Sequence, residues 1–217
     1  MKNIILFFSC VFSLGMTQVV EDPSPTTIDL KKVENFFVQE LNKYRVSLGV
    51  NPLKQNDKIY YVAENQVDFL IKLNTEINRV TDSLTQEMFI SHEQKEEYEF
   101  ENKKIKFKKS EIKEDIYDRL GEVDYKKYFY IGENIYSTYY CTECWTSNKY
   151  QITELEFAKE LLESFKKSKM HDKNQTNSNY REVTCCLKKM PWFIKNDFDI
   201  LIETELYFMV VVFTNIE

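Results

Sequence analysis

Few residues in this chain are equipped for chemistry. Histidine occurs twice, as His92 and His171. An imidazole that is neutral near physiological pH can ligate a metal or move a proton. A lone histidine is more often a surface or satisfied core residue, so these two need context. Glu133 stands in IGENIY (131–136), directly after one of only four glycines. A glycine that scarce marks a backbone position that few other residues can hold, through positive φ or a close approach. The acid beside it is then expected to be held in place. Nucleophilic catalysis has little support. There is no H-E-x-x-H and no G-x-S-x-G. Ser91 adjoins His92, but sequence neighbours rarely aim their side chains at one another as nucleophile and base.

The cysteines carry a different chemistry. Cys10 lies in the apolar opening, which leaves Cys141, Cys144, Cys185 and Cys186. An even number in a secreted chain reads as two disulfides linking 141/144 to 185/186, with the pairing open. CTEC as half of a zinc site is the weaker reading, since two neighbours on a strand point to opposite faces. Asn174-Gln175-Thr176 is an N-glycosylation sequon, which makes Asn174 a candidate modification site.

These residues need elements to position them. MKNIILFFSCVFSLGMT (1–17) has a basic start, a short apolar run and small residues near its end, and reads as a secretory signal peptide. Residues 18–28 are rich in Pro, Thr and acids and read as a linker. Residues 29–217 are the size of one domain. No later stretch is apolar enough to cross a membrane. A net charge of −6 with no basic block fits nucleic acid poorly.

Apolar spacing predicts a helix from about Leu30 to Leu48, with Gly49 just past its end. A second helix is predicted from about Asp57 to Leu73, with Asn56 as its N-cap. Residues 93–115 are so charged that they read as a solvated loop or frayed helix. IYDRLG is a short helix ended by Gly121. TELEFAKELLESFKKSKMH is the clearest helix, opened by a Thr153/Glu156 capping box. REVTCCL and ELYFMVVVF read as strands. Helices come early and strands late, so the class is α+β.

In this order the motifs resemble the CAP superfamily, the cysteine-rich secretory, antigen 5 and pathogenesis-related (SCP-like) proteins. Leu41, Asn42 and Arg45 match its LN-x-x-R helix. Gly49, Pro52 and Leu53 match the turn that follows, and Ala63 and Val67 match the next helix. ISHEQ places His92 at the Ser/His pair. Asp118-Arg119-Leu120 precedes Gly132-Glu133-Asn134-Ile135, as in the bacterial-type branch. Phe165, Ser168 and His171 match W-x-x-S-x-x-H, and a strand follows from Asn177 to Val183. The similarity spans about residues 33–213.

The resemblance implies a single-domain α–β–α sandwich around a central, mainly antiparallel sheet. It also implies an open cleft where His92, His171 and Glu133 meet, with the glycine turning the backbone so that the Glu133 carboxylate faces inward. Glu160 and Glu163 lie on the helix that carries the family's second glutamate, and Glu163 is taken as the fourth cleft residue. The two histidines would hold a divalent ion such as zinc. The chain is then a secreted, non-enzymatic binding module, with a lipid, a sterol or a cell-surface protein as partner. Two other readings use the same residues. One is a metal-dependent hydrolase with Glu133 as general base. The other is an interaction protein with a vestigial cleft, whose working part is the 93–115 insertion.

Overall fold

A computed structural model of the chain describes residues 28–81, 88–121, 128–140, 152–195 and 201–216. The leader, nearly all of the linker, Cys141 and Cys144 lie outside these residues. The first helix, α1 (Leu30–Ser47), starts where the Asp29 side chain accepts from the amides of Lys31 and Lys32. Its stripe of Val33, Phe37 and Leu41 is fully buried. The chain leaves α1 through Gly49 at φ +74°, a conformation that favours glycine. Asn42 then holds the turn by donating to the Leu53 carbonyl (2.9 Å) and accepting from its amide (2.7 Å). A two-residue strand, β1 (Lys54–Gln55), follows.

Asn56 caps a short 3-10 turn over Asp57–Ile59, which runs into α2 (Tyr60–Val80). This helix continues past the expected end at Leu73 because Ile77 prolongs its buried stripe. The cover over that stretch comes from the charged segment. Residues expected to be a solvated loop or frayed helix instead form a β-hairpin, β2 (Glu97–Phe100) and β3 (Lys103–Lys106). Its turn residues Glu101 and Asn102 have φ of 49° and 63°, as a two-residue type I′ turn requires. Tyr98, Ile105 and the following Phe107 pack on Phe69, Leu73 and Ile77 of α2. The charges line the outer face, where Glu97 pairs with Lys104 and Lys106.

A short helix, α3 (Ile116–Leu120), leads to β4 (Tyr128–Tyr140). Next come α4 (Glu154–Lys167), opened by the Thr153/Glu156 capping box, and α5 (Lys169–Thr176), capped by Ser168. Two long strands close the chain, β5 (Glu182–Lys195) and β6 (Leu201–Ile216). The main sheet has the order β1-β5-β6-β4, antiparallel except for the β1–β5 pair.

Helices cover both faces of this sheet. Tyr207, Met209, Val211 and Phe213 of β6 pack into one layer with α1 and α4, and Leu206, Phe208, Val210 and Val212 pack into the other with α2. A strand buried on both faces has no polar side, which explains the run YFMVVVF. The result is the expected α–β–α sandwich with a mainly antiparallel sheet. Among the described residues no helix is long and apolar enough to cross a membrane.

Cys185 and Cys186 sit on β5 and point to opposite faces, Cys185 into the α1 layer and Cys186 into the α2 layer. Both are buried free thiols. The bridges expected at these two positions are therefore not formed here. Adjacent residues of a covered strand face separate cores, so one CTEC segment would have to enter both layers.

Candidate functional site

The site is built across β4, an edge strand of the main sheet. Side chains alternate along a strand, so the neighbours Glu133 and Asn134 leave it on opposite faces. Glu133 enters the α2 layer and Asn134 the layer of α4 and α5. Each is fastened there by a different set of residues.

On the α2 side, Arg119 of α3 forms an ion pair with Glu133 Oε2, its side chain fully buried and that of Glu133 6 % exposed. Glu133 Oε1 lies 2.9 Å from His92 Nδ1. A carboxylate oxygen can only accept, so Nδ1 carries the proton and donates. In its neutral form His92 then presents the Nε2 lone pair, and its side chain is 54 % exposed. Arg119 Nη1 also donates to Gln66 Oε1 (2.8 Å) and to the His92 carbonyl (3.4 Å). Gln66 Nε2 donates to the Ser91 carbonyl at 2.6 Å. Gln94 donates to both Gln66 Oε1 (3.0 Å) and Asn65 Oδ1 (2.9 Å). A network of buried amides thus holds the His92 loop from two directions.

On the other side, Asn134 donates to the His171 carbonyl at 3.0 Å. Asn174 donates to Asn134 Oδ1 (2.8 Å) and to the Glu133 carbonyl (3.3 Å). The His171 ring packs edge-on against Phe165, with centroids 5.3 Å apart. Burial lowers the pKa of His171, and His92, when it is protonated, lowers it further. Both effects disfavour the imidazolium, so His171 is neutral at physiological pH.

Gly132 is where the expectation from sequence needs correcting. It does not turn the chain. It lies within β4 opposite Phe213. Tyr180 stacks on Phe213, with ring centroids 5.5 Å apart, and lays its phenol over Gly132. A Cβ at this position would overlap the Tyr180 hydroxyl and come within 2.9 Å of Cζ. The requirement is close approach, and the inward aim of Glu133 follows from strand alternation and from Arg119.

Glu163 does not join this group. It is exposed on α4 and pairs with Lys166 at 2.6 Å, one turn along the same helix. Among the described residues no group of three or more His, Cys, Asp or Glu is placed to hold a metal. The amide nitrogen of Asn174, the sequon residue, is engaged on Asn134 and Glu133 within the fold. Sequence reasoning quoted Arg119 only as part of a motif and missed its role. Its signal is the single arginine of a short helix, and its partner lies on the next strand.

Solved structures similar to this chain include an outer surface protein of Borrelia burgdorferi, at 15 % identity over 89 % of this chain and all of that one, with a TM-score of 0.46. A cysteine-rich secretory protein of Staphylococcus aureus matches at 13 % identity over 86 % of this chain, TM-score 0.44. An extracellular protein containing an SCP domain from Bacillus anthracis matches at 17 % identity over 88 %, TM-score 0.42. This chain spans 39 % and 45 % of the length of the last two. No family model and no curated protein sequence matches.

Proposed function

We propose that this chain is an extracellular, non-enzymatic binding module whose working surface is the cleft between His92 and His171. The observation that carries this reading is the chain of contacts Arg119–Glu133–His92, which starts at a buried cation and ends at an exposed imidazole. Desolvating an arginine and a glutamate is expensive unless the geometry is well satisfied. What the arrangement delivers is one ring with fixed tautomer and a free Nε2. Glu133 has both oxygens occupied, one by Arg119 and one by His92, so it is a positioning residue and a poor general base. That weighs against the hydrolase alternative.

Two imidazoles with the other positions left to water suit a weakly held, exchangeable ion of borderline softness, such as zinc. His92 and His171 would hold it, and Glu133 would orient His92 through its Nδ1–H. Ile90 and Met170 are exposed apolar residues close in sequence to the two histidines, and Tyr130 is exposed on the same strand as Glu133. On this reading they supply apolar surface near the histidines for a lipid, a sterol or a partner protein. Placement outside the cell rests on the leader-like first seventeen residues.

The test is zinc calorimetry on the mature protein and on His92→Ala, His171→Ala and the double variant. One weak site is expected, weakened by each single change and abolished in the double variant. Binding that survives the double change, or none in the wild type, overturns the metal reading.

A further inference from the structure

Residues 88–95, which carry His92, belong to no helix or strand. Peptide groups withdrawn from water in such a segment must be satisfied by side chains. Asn74 donates to the Phe89 carbonyl (2.9 Å) and accepts from its amide (2.9 Å). Gln66 and Arg119 take the carbonyls of Ser91 and His92. Past His92 the grip passes to a side chain of the β2–β3 hairpin. The Tyr98 hydroxyl donates to the Glu93 carbonyl at 2.7 Å and accepts from the Lys95 amide at 3.0 Å. The Ser91 hydroxyl donates to the same carbonyl at 2.7 Å, which closes a bend with His92 at its crest. The Tyr98 ring is fixed in turn. Phe69, Phe89 and Phe107 pack around it at centroid distances of 6.0, 5.5 and 6.1 Å. Burial raises its pKa, so it stays a neutral phenol that donates and accepts at once.

Given His92 as a working group of the cleft, we propose that Tyr98 is a positioning residue for it: the Tyr98 hydroxyl sets where His92 stands relative to Glu133. The His92 side chain is 54 % exposed, so the place of its ring follows the place of its backbone. Glu133 is pinned separately, by Arg119. The 2.9 Å contact between His92 Nδ1 and Glu133 therefore lasts only while the bend keeps its position. Tyr98 supplies that position from a different part of the fold, the apolar inner face of the hairpin. The hairpin then does two things. It covers the end of α2, and through one hydroxyl it holds a histidine on the far side of the bend. Removing the hydroxyl alone leaves the ring and its three aromatic neighbours in place, so the two roles can be separated. Ile105, the cross-strand neighbour of Tyr98, gives the opposite change. It packs in the same cluster with an aliphatic side chain that cannot hold the bend.

The experiment compares Tyr98→Phe with Ile105→Val in mature protein carrying nitrogen-15 in its histidine rings. The two rings are assigned by the loss of one set of signals in His92→Ala. In alkaline buffer the wild-type His92 signals are expected to show a ring protonated at Nδ1. In Tyr98→Phe they move toward the averaged pattern of a free imidazole. The His171 signals stay, because that ring rests on Phe165. Zinc affinity falls roughly three- to tenfold in the same variant. Ile105→Val lowers the urea midpoint and leaves the His92 signals where they are. Unchanged His92 signals in Tyr98→Phe overturn the proposal. So does an equal displacement in Ile105→Val, which would make the effect one of hairpin packing alone. Absence of zinc binding in the wild type counts against the metal reading only, since the ring signals decide the role of Tyr98 without the ion.

Discussion

At the scale of single residues, Gly132 makes the sharpest test of how the site is seated. Gly132→Ala drives a methyl group into the Tyr180 ring. Overpacking of this kind typically costs about 1–3 kcal/mol. Chemical denaturation of Gly132→Ala, Tyr180→Phe and the pair is expected to show positive coupling, with the double variant recovering part of the loss. Additive effects would mean that the Tyr180 hydroxyl is not what excludes a side chain there. The sequence marked this glycine as special through its scarcity alone. It did not reveal whether turn or close approach was the reason, because Tyr180 lies far along the chain. The contact between His92 and Glu133 was legible only through the order of motifs around them. Glu163 was misplaced for a plain reason: α4 carries several glutamates, and helical spacing does not say which one looks into a cleft.

At the scale of elements, the hairpin of β2 and β3 is a structural part of the domain. Its inner face covers Phe69, Leu73 and Ile77. Glu96 and Phe107 are already joined, Phe107 N donating to the Glu96 carbonyl at 2.8 Å, so a short Gly-Ser link can replace residues 97–106 without strain. Each apolar side chain returned to water is worth about 1.5–3 kcal/mol. The shortened protein is therefore expected to unfold at markedly lower urea and to bind an apolar dye. Unchanged stability would instead make the hairpin a free appendage. The pattern was present in the sequence. EYEF and KIKF each alternate charged and apolar residues with period two, and Asn102 supplies a turn residue. The density of Lys and Glu hid it, since charge on one face of a hairpin looks like solvation until the alternation is counted. The helices were easier to read, because α1 and α4 carry both their apolar stripes and their capping residues locally.

At the scale of the whole molecule, the two apolar layers separated by one sheet govern the thiols. Burial pushes the Cys186 thiol up to about 12 and that of Cys185 well above its usual value. Neither is a thiolate at neutral pH, and neither is accessible. Peptide mapping after exposure to an alkylating reagent is expected to find both unmodified in the native state and both labelled once the protein unfolds. Recovery of either in a disulfide-linked peptide would contradict this layering. The sequence placed the pair on a strand with opposite aims, but composition argued for bridges, and only the depth of both layers shows why the thiols stay apart. The same two-sidedness has a consequence for β4. Side chains on a strand swap faces if its register slips by one residue. A slip here would carry Glu133 toward the amides of Asn174 and the α5 layer, and would leave Arg119 facing a neutral asparagine with a buried charge uncompensated. An edge strand is the member of a sheet freest to slide or to exchange with another molecule. In this chain the adjacent acid and amide bolt it in alignment, so the residues that fasten His92 and the start of α5 also guard against misalignment and strand exchange.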